Sequence, residues 1–301
     1  MSRNTYSISV LEYAYVEKYP EGAVVAGRFG AETRKLPYCY ALIQGHGHNI
    51  LVDVGYNHKD YGGYLGDKFG VINWHSPREV LAERGITPED VDTVIITHAH
   101  FDHMGNTDAF PNAKFYIQDR ELSQWIWAMA QPEHKQWMMV GTDPADILRV
   151  VDLARQGRLV SLAGSTENIL PGIDVHTAYD THTYGSMWVN VRNDLRADSD
   201  NNWVLAGDLV YVYENLVKDP VVANGEVEGA LNLTPVGLAM GSMTNLVTAS
   251  DAMLKAVNYQ VKRIVPVHEQ KLTEVFRSRV TATGLCVVNI CTSDAEAAIA
   301  A

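Results

Sequence analysis

The segment Thr97-His98-Ala99-His100-Phe101-Asp102-His103-Met104-Gly105-Asn106 gathers three imidazoles and a carboxylate within residues 98–103. His98 and His100 are separated by one residue, so on an extended segment their side chains share a face. Asp102 and His103 then turn and offer a second pair. Imidazole nitrogen and carboxylate oxygen without thiolate suit two adjacent divalent metals, Zn²⁺ best, with Fe, Mn or Co also compatible. Two sites need more than four ligands, and the later chain supplies candidates where apolar runs end: His182 in Tyr179-Asp180-Thr181-His182, Asp208 after Leu205-Ala206-Gly207, and His268 after Val265-Pro266-Val267. His176, six residues before His182, competes with it.

The elements that must position these residues alternate in type. Ile8–Leu11, Tyr38–Gln44 and Ile50–Gly55 read as strands of an antiparallel start, with His46–Asn49 as a turn. Ser76-Pro77-Arg78-Glu79 combines an N-cap, a proline at N1 and a glutamate at N3, so a helix starts there and ends near Gly85. The β-branched run Thr93–Thr97 is a short buried strand that delivers the chain into His98. Lys114–Gln118 reads as a strand, and a helix from about Asp119 carries Leu122, Trp125, Ile126 and Met129 on one face. Further helices are expected over Pro144–Arg155 and Thr244–Val257, and further strands over Trp203–Ala206 and Arg263–Val267. Strands followed by strands mixed with helices indicate α/β layers in a single domain over 1–301, with no repeat or linker dividing it.

Composition narrows the partners. Lys plus Arg number 24 against 36 Asp plus Glu, a net charge of −12 that repels phosphate backbones and anionic membranes, so no nucleic-acid or membrane partner is expected. No run reaches the roughly 20 apolar residues of a membrane span, and the N-terminus lacks a signal-peptide core, which points to a cytoplasmic protein. Cys39, Cys286 and Cys291 form no CxxC pair and no even set, so neither a disulfide framework nor a thiolate zinc site is expected.

HAHFDH at 98–103, followed in order by His182, Asp208 and His268, resembles the metallo-β-lactamase superfamily. Phe101 within the motif, Asp208-Leu209-Val210-Tyr211 and the terminal His268-Glu269 are most similar to the acyl-homoserine-lactone lactonases and related lactonases. The resemblance runs from about Asn49 to about Gln270. It implies a four-layer αβ/βα sandwich with a dinuclear site at one edge between two sheets. In that family's arrangement His98, His100 and His182 hold one ion, Asp102, His103 and His268 the other, and Asp208 bridges them. Tyr211 would donate to the substrate carbonyl or developing oxyanion, Asp102 would also move a proton to the leaving group, and Asp53 would orient a ligand without binding metal. Trp74, Trp125, Trp127 and Trp137 fall in regions that border the cleft in such enzymes. The chain departs from the lactonases at Tyr179–Tyr184, where they carry Pro-Gly-His, in an insert near 56–75, and in an extension after about 277. The region from Tyr61 to Trp74 makes a homodimer the expectation by resemblance.

Two cations a few Å apart bring a bridging water toward ionisation at neutral pH, so the expected function is opening of a small lactone by a hydroxide, with quorum quenching as the implied role. The same site would serve a thioester, another ester or a cyclic amide. A metal-binding or iron redox module without hydrolysis is the alternative outside enzymatic hydrolysis.

Overall fold

Val, Ile, Leu and Tyr recur along the N-terminal segment, and in the computed structural model, which describes residues 4–300, they form the middle of a large sheet. Strand β1 (Ser7–Pro20) pairs antiparallel with β2 (Thr33–Gly45), and β2 with β3 (His48–Val52) across the His46-Gly47 turn. Helix α1 (Glu21–Val24) joins the first two strands. Residues beyond β3 supply α2 (Tyr61–Phe69), the short β4 (Val71–Ile72) beside β1, and α3 (Pro77–Ala82), whose Ser76 and Glu79 form the expected capping box.

From β3 onward the pairing is parallel, through β5 (Thr93–Ile95), β6 (Lys114–Gln118) and β7 (Leu159–Leu162). Parallel strands end at the same edge, so Asp53, His98 and Glu121, which follow β3, β5 and β6, arrive together there. Helices α4 (Phe101–Met104), α5 (Asp119–Met129) and α6 (Pro144–Arg155) occupy the crossovers.

A second sheet contains β8 (Thr166–Leu170), β9 (Ile173–Thr177), β10 (Met187–Arg192) and β11 (Asn202–Leu205). After the separate hairpin β12 (Val217–Ala223) and β13 (Glu226–Leu231) comes α7 (Met243–Ala256), and then β14 (Ile264–Val265) completes this sheet parallel to β11. Asp208 and His268, just past β11 and β14, therefore also reach one edge. Helix α8 (Leu272–Val275) leads back to the first sheet, where β15 (Arg277–Val280) and β16 (Cys286–Cys291) extend it from β1, before α9 (Asp294–Ala300). Leu11, Leu42, Ile50 and Val94 of one sheet share a core with Val189, Val204 and Ile264 of the other. Helices α3, α5 and α6 pack on first-sheet strands and α7 on β11, giving the layered α/β sandwich.

Two expectations change. Strand β14 is shorter than Arg263–Val267 because residues 261–263 form a tight turn and Pro266 has no N–H to continue the ladder. In α5 Trp125 is buried and Leu122 and Met129 pack half-buried against the core as expected, but Glu121 and Ala128 are buried too, while Ile126 is 41% exposed. Hydrogen bonds from other segments to the Glu121 carboxylate outweigh the apolar period that favoured Ile126.

Candidate metal centre

Five of the seven candidate residues sit in loops or turns past strands, and the other two, Asp102 and His103, lie in the single turn of α4. Together His98, His100, Asp102, His103, His182, Asp208 and His268 converge as two groups. His98, His100, His182 and Asp208 form one; Asp102, His103 and His268 form the other. His98 Nε2 and His182 Nε2 lie 3.1 and 2.9 Å from His100 Nδ1, and 3.6 and 3.2 Å from Asp208 Oδ2. The other oxygen, Asp208 Oδ1, faces the second group, 3.0 Å from His103 Nε2 and 3.3 Å from His268 Nε2. His103 Nε2 and His268 Nε2 are 3.5 and 3.9 Å from Asp102 Oδ2. Asp208 thus spans the two groups. It follows Gly207, whose φ of +53° belongs to the left-handed region and whose Cβ, if present, would lie 2.9 Å from Thr97 Cβ.

The outward nitrogen of four of the five rings is also fixed, while that of His100, Nε2, is buried without a hydrogen bond among the described residues. Nδ1 of His182 lies 2.8 Å from the Leu238 carbonyl, that of His268 2.7 Å from the Pro37 carbonyl, and that of His103 2.8 Å from Asp53 Oδ2. These acceptors hold the proton on Nδ1 and leave Nε2 free to ligate. Thr97 donates its hydroxyl to Asp53 Oδ2 and so can accept only from His98 Nδ1, 3.0 Å away. Asp53 sits at φ +66°, which a short polar residue tolerates better than a branched one. Tyr13, at an irregularity in the β1–β2 register, donates its hydroxyl to the Asp102 carbonyl at 2.8 Å.

Burial, together with the neighbouring His103, holds the His98 pKa well below its ordinary value, and burial and His182 push His100 down to about 3. Both are neutral and ready to ligate. Burial works in the same direction on His103, yet Asp208, Asp102 and Asp53 outweigh it and hold that imidazole well above the usual range. Burial raises Asp208 less than His103, His268 and His98 lower it, so its carboxylate is ionised. Three buried carboxylates around one imidazole make a pocket that calls for positive charge.

The donor set fits divalent metal. His103 Nε2 and Asp208 Oδ1 are buried side by side and neither makes a hydrogen bond. In a tetrahedral site with bonds of about 2.0–2.1 Å, ligand atoms stand about 3.3 Å apart, close to the separations within each group.

The centre forms the floor of a cavity of about 360 Å³ walled by Tyr19, Tyr38, Phe69, Phe101, Trp137 and Tyr211 among others. Tyr211 packs between His182 and His268, with ring centroids at 5.7 and 4.8 Å. Of the four tryptophans expected to border the cleft, Trp137 is on the wall. Trp125 lies beneath His100, Trp74 stacks on His58, and Trp127 faces solvent. His176 is outside the centre, stacked on Trp188 across β9 and β10. Sequence reasoning missed Glu121, Tyr19 and the 237–240 loop. For Glu121 the available signal was its place four residues before Trp125, three past the end of a strand.

Residues 36–268 match the Metallo-beta-lactamase superfamily. The chain belongs to the metallo-beta-lactamase superfamily. Among its members it is similar to Metallo-beta-lactamase domain-containing protein 1 of Mus musculus, 36% identical over 121 residues that cover 38% of this chain and 46% of that one. It is also similar to N-acyl homoserine lactonase AiiB of Agrobacterium fabrum, 23% identical over 137 residues, 46% of this chain and 47% of that one. The matches thus span about half the length of these relatives. Solved structures of this superfamily share the fold. A quorum-quenching N-acyl homoserine lactone lactonase aligns at TM-score 0.63 and 17% identity, over 92% of this chain and 98% of that one. The hydrolase AbOPH aligns at 0.65 and 18%, over 96% of each.

Proposed function

We propose that this metallo-hydrolase opens small uncharged cyclic esters at a centre of two divalent ions, Zn²⁺ first among the candidates. His98, His100 and His182 would hold one ion, Asp102, His103 and His268 the other, with Asp208 shared. When bound, the ions supply a water ionised near neutral pH and an electrophilic contact for a carbonyl oxygen.

The observation that carries the choice of substrate is the wall of the cavity: apart from the centre itself its lining is aromatic or apolar, without a lysine or arginine among the described residues. A phosphodiester or an anionic thioester would lose its hydration there with no cation from the protein to replace it. A neutral ring with a modest apolar substituent fits both the volume and the chemistry. The likeness to lactonases of 17% and 23% identity supports the same reading.

The remaining steps belong to protein groups. Burial first, and then the negative Asp208, hold the Tyr211 pKa well above 10, so the phenol stays protonated and serves as a donor to the carbonyl oxygen as charge grows on it. Asp102, also on the cavity wall, would take the proton of the spent nucleophile and pass it to the departing oxygen.

The test is turnover of γ- and δ-lactones, acyl-homoserine lactones, aryl esters and thioesters by protein of measured metal content. Lactones should be preferred, with activity lost on chelation and restored by Zn²⁺ at two ions per chain. Faster turnover of thioesters, or turnover by metal-free protein, would replace this reading.

A further inference from the structure

Glu121 lies in the first turn of α5 with no exposure to solvent, and its carboxylate receives four hydrogen bonds. Oε1 accepts from the Ala99 amide at 2.8 Å and the Trp125 indole at 2.7 Å. Oε2 accepts from the Thr183 hydroxyl at 2.9 Å and the Gly185 amide at 2.5 Å. Four donors saturate a carboxylate only when it is ionised, because its protonated form would turn an O–H toward one of them.

The two oxygens serve different sheets. Ala99 follows β5 of the first sheet and lies between His98 and His100. Thr183 and Gly185 belong to the β9–β10 connection of the second sheet, and Thr183 directly follows His182. Every histidine of the first metal group is therefore a chain neighbour of a residue held by Glu121, and no member of the second group is. The second group has separate supports, Asp53 on His103 and the Pro37 carbonyl on His268. Gly185 reports how closely the pieces fit: a Cβ there would stand 2.4 Å from the Glu121 backbone nitrogen and 2.8 Å from its Cα.

We propose that Glu121 is the positioning residue of the first metal group, clamping residues 98–100 to residues 182–185 across the two sheets. Loss of the clamp releases the ion held by His98, His100 and His182 and spares the one held by Asp102, His103 and His268. The inference rests on the reading that both groups hold divalent ions. Glu121 itself touches neither ion.

Metal-stripped wild type and Glu121→Gln are titrated with Co²⁺, bound metal is counted by elemental analysis, and the visible d–d bands are recorded. The wild type should take two ions per chain. In Glu121→Gln an amide NH₂ confronts two donors, and one ion should bind about 10- to 100-fold more weakly while the other keeps its affinity. The spectrum of the retained ion should match that of His182→Ala and differ from that of His268→Ala. Thr183→Val removes one donor, keeps the buried carboxylate, and should show the same selectivity to a smaller degree even where Glu121→Gln does not fold. Unchanged binding, or equal weakening of both ions, in a folded variant overturns the proposal. Wild type that takes up no Co²⁺ overturns the reading of the centre, and the clamp with it.

Discussion

Asp53 Oδ2 stands 2.8 Å from His103 Nδ1, while the same carboxylate accepts both the amide and the hydroxyl of Thr97, each at 2.8 Å. One side chain at the end of β3 thus orients His103 directly and His98 through Thr97.

Replacing it tests that relationship. Asp53→Asn leaves an acceptor for only part of this set and should lower metal affinity about 10- to 100-fold, chiefly for the ion bound with His103. Competition for Zn²⁺ with a chromophoric chelator measures it, and unaltered affinity would leave Asp53 a structural residue only.

Tyr211→Phe removes a donor and keeps the ring between His182 and His268. The expected result is a kcat about 10- to 100-fold lower on the preferred lactone, with KM and metal content near wild type. A change confined to KM would assign Tyr211 to packing against substrate.

Trp137 is 70% exposed at the rim of the cavity, where its removal opens no core void. Trp137→Ala should raise KM about 3- to 10-fold for lactones with a large apolar substituent, in line with a loss of roughly 1 kcal/mol of apolar contact. Unsubstituted lactones should be unaffected, and steady-state kinetics on the two series gives the comparison.

Asp146, which is in neither metal group, provides a further pH signature. Burial, and then the charge of Asp143, push its pKa up to about 7 against the pull of Arg149. Between about pH 4 and 7 the folded protein keeps a proton that the unfolded chain has released, so this group's contribution to stability is largest at low pH and is lost as pH rises through 7. The loss amounts to at most about 4 kcal/mol. Urea unfolding of wild type and Asp146→Asn at pH 5 and pH 8 should show the wild type losing ground to the variant as pH rises. Parallel profiles would place the Asp146 pKa in the ordinary range.

Much of the centre was legible because its first members are neighbours in the chain. His98, His100, Asp102 and His103 declare themselves through a spacing set by an extended segment and one helical turn. His182, Asp208 and His268 were legible only as polar residues ending apolar runs, with the family's order choosing among them; His176 met the local criterion almost as well. In α5 local pattern misled, because Ile126 is apolar by type and exposed by position, while Glu121 is charged and buried.

The sequence by itself determined the candidate ligand types, the strands that deliver them and the α/β class, since these depend on side-chain chemistry and on periodicity over a few residues. Tertiary structure decided how seven residues divide into two groups, which oxygen of Asp208 faces each, and which carbonyl or carboxylate fixes His103, His182 and His268. Those features join positions as distant as Pro37 and His268 or Glu121 and Gly185. Hydrogen bonds between such positions exist only after two sheets have packed, and no local pattern encodes the packing geometry that selects them.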